Sequence, residues 1–168
     1  MTTRERLEPR FVNRRALKLA GISRHYDAQD TEAFAKQWQE FIPLIGKVPG
    51  QVGAETYGVV LGSFGSDAGF EYITGVEVSG FDNVLAKLRH LDVPAQRYAV
   101  FVHEGHVSGI RDTVYTIKKE WLPKMMVPGR VDTTREGGNQ PDFFERYGKD
   151  FDPRTGSGKI EVWVPLKR

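Results

Sequence analysis

Phe143-Phe144-Glu145-Arg146-Tyr147 is the stretch from which the fold can be worked outward. It lies between the loop-like tract Gly137-Gly138-Asn139-Gln140-Pro141 and the turn-forming Asp152-Pro153-Arg154-Thr155-Gly156, so a short extended segment is expected. Strand alternation puts Phe143, Glu145 and Tyr147 on one face, with Phe144 and Arg146 on the other. Two readings follow. A carboxylate between two aromatic rings suits a flat, apolar molecule that is cationic or polarised, because the rings supply contact area and the carboxylate supplies charge. The plainer reading is a half-buried edge strand whose Glu145 points to water.

Around this stretch the chain of 168 residues suits a single domain, 1–168, with residues 1–8 as a polar, frayed tail. Lys and Arg number 24 against 22 acidic residues, a formal charge of +2. No run of five like charges occurs, so direct nucleic-acid binding is not expected. The absence of cysteine excludes disulfides, thiol catalysis and thiolate metal sites, and fits a reducing cytoplasm. Met1-Thr2-Thr3-Arg4-Glu5-Arg6 has no apolar signal segment, and no apolar run approaches the roughly 18 residues that cross a bilayer. The expected localisation is cytoplasmic, with no membrane contact.

Taken in order, Pro9 to Arg24 reads as strand, with Leu17 and Leu19 alternating. Asp27 and Asp30 are candidate N-caps for a helix whose Phe34, Trp38, Phe41, Ile42 and Ile45 share a stripe, and Pro43 kinks it or opens its last turn. Thr56 to Leu61 and Phe70 to Val78 are strands joined by a glycine-rich hairpin loop. Val84, Leu85 and Leu88 predict a short helix over 81–90. Arg97 to Val102 is the most apolar run and a central strand. A second helix from about Ser108 carries Ile110, Val114, Ile117 and Trp121, and Pro123 closes it. A long polar loop, 124–142, is a candidate lid. Two strands finish the chain, the opening stretch and Lys159 to Pro165.

The order strand, helix, strand, strand thus occurs twice. A shift of 80 residues lays Leu19 and Ile22 on Ala99 and Val102, and a shift of 84 lays Val76-Glu77-Val78 on Ile160-Glu161-Val162. The expected fold is α+β: two pseudo-symmetric β-α-β-β repeats forming an antiparallel sheet. Its helices lie on one face, leaving the other face, or the seam between repeats, for a ligand.

Motifs for other chemistries are weak. His103 and His106 flank Glu104-Gly105 at a strand end, a spacing that fits no standard zinc site, so a polar strand-to-helix turn is expected and no metal. Ser157 between Gly156 and Gly158 lies in a turn rather than a nucleophile elbow. The Gly58–Gly69 tract lacks the Gly-Lys of a phosphate loop, and no cofactor is implied. The aromatic residues are more informative. Tyr57 shares a strand face with Glu55, Val59 and Leu61; Tyr72 alternates with Phe70 and Thr74; Trp163 shares its face with Glu161. Trp38 and Trp121 sit on apolar helix stripes, where they serve the core or wall a cavity.

These pieces, in order, resemble the GyrI-like small-molecule-binding domain, also met as the effector-binding domain of AraC- and MerR-type drug-responsive regulators. The resemblance runs from about Pro9 to Leu166. It rests on Ala16-Leu17-Lys18-Leu19-Ala20-Gly21, Trp38-Gln39-Glu40-Phe41-Ile42-Pro43, Thr56-Tyr57-Gly58-Val59 and Tyr72-Ile73-Thr74-Gly75-Val76-Glu77-Val78. It continues through Tyr98-Ala99-Val100-Phe101-Val102-His103-Glu104-Gly105, Glu120-Trp121-Leu122-Pro123, Phe144-Glu145-Arg146-Tyr147 and Ile160-Glu161-Val162-Trp163-Val164-Pro165. It implies a ligand cleft between the repeats, Glu145 in that cleft pairing with cationic aromatic ligands, and Tyr57 as its partner. No helix-turn-helix precedes Pro9, so a stand-alone version is expected.

The candidate ligand-binding set is Glu145, Tyr57, Tyr147, Phe143, Tyr72, Trp121, Trp38 and Trp163. The first expectation is binding of a hydrophobic, cationic small molecule for sensing or sequestration. The second, again from the resemblance, is a hydrolase that opens cyclopropane-bearing DNA alkylators, with Glu145 as base and Tyr57 as proton donor. The third is a protein-binding module with a regulator or DNA gyrase as partner.

Overall fold

The computed structural model describes residues 8–26, 33–62, 69–82, 84, 86–121, 141–152 and 155–166. Among the described residues eight strands and two helices follow one another: β1 (Arg10–Arg14), β2 (Leu17–Tyr26), α1 (Phe34–Phe41), β3 (Gln51–Gly62), β4 (Phe70–Val78), β5 (Arg89–Val93), β6 (Gln96–His106), α2 (Ile110–Thr116), β7 (Pro141–Asp152) and β8 (Ser157–Leu166). All strands join one antiparallel sheet in the order β1-β6-β8-β7-β3-β4-β2-β5. The fold is α+β.

The order dictates the shape. β1 is first in the sheet and β2 seventh, yet only Arg15 and Ala16 connect them. In a flat sheet six strand spacings would separate them by roughly 29 Å. The connection spans about 10 Å at most. Pro94 and Ala95 make the same short bridge between β5, at the eighth position, and β6, at the second. The sheet must therefore curl until its ends approach, giving a half-barrel with an inner and an outer face.

Each half is a β-β-α-β-β unit whose first strand crosses over: β1 pairs with β6 of the second half, and β5 with β2 of the first. The β-α-β-β order expected from the sequence is present, with one crossed arm added in front of each copy. Pro9 to Arg24 is thus two strands at opposite ends of the sheet, not one. The inner face is filled by Leu19, Tyr57, Val59, Ile73, Leu91, Tyr98, Val100, Phe144 and Trp163. It is core, so of the two places expected for a ligand the face away from the helices is closed and the seam between the halves remains. On the outer face Phe70, Tyr72, Phe101, Phe143 and Val162 pack under Phe34 and Trp38 of α1 and under Val114 and Ile117 of α2 and its C-terminal extension.

Two local expectations are corrected. Among the described residues of 81–90 the chain makes turns and then enters β5, not a helix. Val84 and Leu88 are buried as their spacing suggested, but Arg89–Val93 pairs with β2, with Leu91 and Val93 inward and Asp92 exposed. Long-range pairing outweighs the local helical pattern there. The shift of 80 also fails, because Leu19 faces inward while Ala99 faces outward. Equivalent positions on β2 and β6 must lie an odd number apart to keep their faces.

The helices end differently from one another. After α1, Ile42–Leu44 tightens into a 3-10 turn with Pro43 near its start. After α2, Ile117–Trp121 widens into a π turn. Residues 124–140 of the candidate lid lie outside the described residues.

Candidate ligand-binding site

β3 and β7 meet at the middle of the sheet, where the two halves join. Their register sets Gly58 opposite Glu145, Val60 opposite Phe143 and Thr56 opposite Tyr147. Alternation then turns Phe143, Glu145 and Tyr147 to the outer face, beneath the helices, and β4 brings Tyr72 to the same face opposite Val60. β7 is a twelve-residue interior strand, and Glu145 is 5% exposed. The edge-strand reading, with Glu145 in water, is overturned.

Glu145 Oε1 accepts hydrogen bonds from the hydroxyls of Tyr147 at 2.7 Å and Tyr72 at 2.9 Å. The Tyr72 oxygen in turn accepts from the indole N–H of Trp38 at 3.1 Å. No cation reaches the carboxylate from the described residues. Burial pushes the Glu145 carboxyl above the ordinary carboxylate range, and the two tyrosine hydroxyls pull it partly back. Burial, reinforced by the adjacent Glu145 charge, pushes both phenols well above their usual range.

The supports follow from the same alternation. Gln37, buried on α1, donates its side-chain amide to the carbonyls of Ile22 and Tyr72, each at 2.9 Å, and accepts from the Tyr26 hydroxyl at 2.6 Å. These bonds seat α1 on the sheet one residue before Trp38. Phe34 stacks on the Tyr72 ring at 4.2 Å, and Trp38 meets Tyr147 edge-on at 5.1 Å. Opposite the carboxylate, Gly58 supplies space: a Cβ there would stand 2.3 Å from the Tyr72 hydroxyl oxygen and 2.7 Å from Glu145 Oε1. Glycine inside a strand commonly marks such a close approach.

Six of the eight residues singled out in the sequence share this outer face: Glu145, Tyr147, Tyr72, Trp38, Phe143 and Trp121. Trp121 stands further along, edge-on to Phe101 at 5.9 Å. Tyr57 and Trp163 do not join them. Tyr57 pairs across with Arg146, not Glu145, so its ring points to the inner face among Phe144 and Tyr98, and Trp163 lies there too. The tyrosines that hold Glu145 are Tyr72 and Tyr147. Gly58 and Gln37 carry no chemical signal in the sequence, and Phe34 shows there only as part of the helix stripe. His103 uses both ring nitrogens structurally, against the Thr113 hydroxyl at 2.7 Å and the His106 carbonyl at 2.9 Å.

Comparison with known proteins agrees with the fold. The transcriptional regulator BrlR of Pseudomonas aeruginosa is 25% identical over 165 residues, which are 95% of this chain and 56% of that protein. The chain thus spans little more than half the length of that relative. The structure of SAV2435 bound to tetraphenylphosphonium superposes with a TM-score of 0.72 at 20% identity, covering 95% of this chain and 94% of that one. A hydrolase from Listeria innocua superposes at 0.57 with 13% identity, over 95% and 92% of the two chains. At these identities the structural matches speak to the fold. The GyrI-like small molecule binding domain matches residues 7–167, and the chain belongs to that family.

Proposed function

We propose that this chain binds lipophilic, aromatic cations against Glu145 on the outer face of the sheet. The observation that carries this is a buried carboxylate held by two hydroxyls and, among the described residues, by no cation. A desolvated carboxylate costs several kcal/mol unless a positive charge accompanies it. An organic cation supplies that charge without the hydration shell of a metal ion. Trp38, Tyr72 and Tyr147 supply faces on which a delocalised or quaternary cation is favoured. Membership of a small-molecule-binding family supports the reading, as does a cationic ligand on a protein of the same fold. Sensing and sequestration are both uses of such binding.

Hydrolysis fits this geometry less well. Tyr57, the expected proton donor, is on the other face. The hydroxyls of Tyr72 and Tyr147 are already engaged as hydrogen-bond donors to Glu145, and both phenols are pushed well above their usual range, which makes them weak acids.

The test is titration with tetraphenylphosphonium and with a neutral aromatic compound of similar size, followed by tryptophan fluorescence. Glu145→Gln is expected to weaken the cation at least about tenfold, or 1.4 kcal/mol, and to leave the neutral compound unchanged. Equal affinity of wild type and variant for the cation would remove Glu145 from the site.

A further inference from the structure

Tyr57 and Trp163, left over by the outer site, meet on the inner face around a third group. Arg14, the last residue of β1, lays its guanidinium over both rings, 5.7 Å from the Tyr57 centroid and 5.3 Å from that of Trp163. Its Nη2 donates to the Tyr57 hydroxyl at 3.0 Å and lies 3.6 Å from Glu77 Oε1. The other Glu77 oxygen takes the exposed Arg15 at 2.8 Å. All three receiving residues are buried, Tyr57 at 1%, Trp163 at 4% and Glu77 at 8% exposure.

The local sequence explains the space. Tyr57 pairs with Gly75 on β4, and Gly75 with Gly21 on β2. At those two positions there is no side chain to compete for the room beside the Tyr57 ring. On the other side Phe144 meets Tyr57 edge-on at 5.7 Å and stacks on Trp163 at 5.5 Å, fixing both rings. Two aromatic faces, a hydroxyl acceptor and a carboxylate converge on one point.

We infer that Tyr57, Trp163 and Glu77 form a second cation site, on the inner face, shaped for a guanidinium and filled by the chain's own Arg14. Its chemistry differs from that of the outer site. A planar cation with N–H donors satisfies the ring faces and the oxygens together, which a quaternary cation lacking donors does not. The ligand class is therefore a monoalkylguanidinium. The occupant is delivered by the crossed arm, so filling the cage fastens the first half's arm to strands of both halves. The site is independent of any ligand at Glu145.

Removing the occupant tests the assignment. Arg14→Ala is expected to melt several degrees below wild type. Methylguanidinium at low millimolar concentration should restore most of that loss with a saturable dependence. Tetramethylammonium and sodium at the same ionic strength should not, and wild type, whose cage is full, should gain nothing from methylguanidinium. Arg14→Lys should fall short of wild type, and adding Tyr57→Phe to Arg14→Ala should weaken the rescue. Equal responses to methylguanidinium and sodium, or an equal response of wild type, overturn the site. If Arg14→Ala does not hold its fold, refolding is followed by circular dichroism in the same three salts. Recovery in methylguanidinium alone supports the cage; recovery in all three or in none overturns it.

Discussion

Gly58→Ala is expected to lower the melting temperature by several degrees and to weaken cation binding by well over tenfold. The added methyl carbon would lie 2.3 Å from the Tyr72 hydroxyl oxygen, 2.7 Å from Glu145 Oε1 and 3.0 Å from Tyr72 Cζ. None of these neighbours has room to retreat. Tyr72 is 1% exposed, is covered by Phe34 and is tied to Trp38, while Glu145 is held by two hydroxyls. Overpacking of this kind typically costs about 1–3 kcal/mol. A domain of this size loses roughly 2–4 °C for each of those kcal/mol. Part is offset because alanine restricts the unfolded chain more than glycine does. Gly148→Ala is the control: it lies on the same strand as Glu145, and a methyl there meets nothing within 4 Å. Thermal denaturation and fluorescence titration of the two variants side by side decide the matter. Equal tolerance at positions 58 and 148 would show that Tyr72 and Glu145 are free to part.

Glu145→Gln should raise the melting temperature of the ligand-free protein near neutral pH by roughly 2–4 °C, about 1 kcal/mol, even as it loses cation affinity. The folded-state pKa of Glu145 lies above its unfolded value because burial disfavours the charged form. Between those two values the native state binds more protons than the unfolded one. Stability therefore falls as pH rises through that window, and the whole cost is present above it. Below the unfolded value both states are protonated and the cost is gone. The advantage of the variant should accordingly shrink on acidification and vanish below about pH 4, near the ordinary glutamate value. Cation affinity runs the opposite way and increases as Glu145 ionises. At a ligand concentration of about 100 Kd, binding adds roughly 2.7 kcal/mol to wild type. The order of the two melting curves should then reverse. Melting curves across pH, with and without tetraphenylphosphonium, check both signs. A variant no more stable than wild type at neutral pH would mean that Glu145 ionises without strain.

Much of the outer site is legible in the chain because alternation is local. Phe143, Glu145 and Tyr147 share a face in the sequence and in the structure, and the helical stripe carrying Trp38 is where its spacing places it. Alternation does not say which faces of separate strands coincide. Tyr57 shares its face with Val59 and Leu61 in sequence and structure alike, yet the pairing of Tyr57 with Arg146 turns that whole group away from Glu145. One step of register separates a partner from a stranger. Gly58 adjoins Tyr57 in the chain and fills the position opposite the carboxylate by having no side chain, which a search for chemical groups passes over. β5 is hidden in the sequence for a related reason. Its Leu91 and Val93 alternate over only five residues, and the partner that makes them a strand lies some seventy residues earlier on β2.

The crossed arms bear on how the chain acquires this structure. Arg10 finds Val100, and Leu17 finds Val93, so the strand that completes each half is the first strand of the other. Such distant pairings must be closed against chain entropy before they return any stability, and they slow folding. A half made alone would have an arm with nothing to lie on and an open edge where the other arm belongs. The halves are therefore interlocked rather than stacked. The chain should fold and unfold as one cooperative unit, and two copies of a single half would complete each other only by exchanging arms.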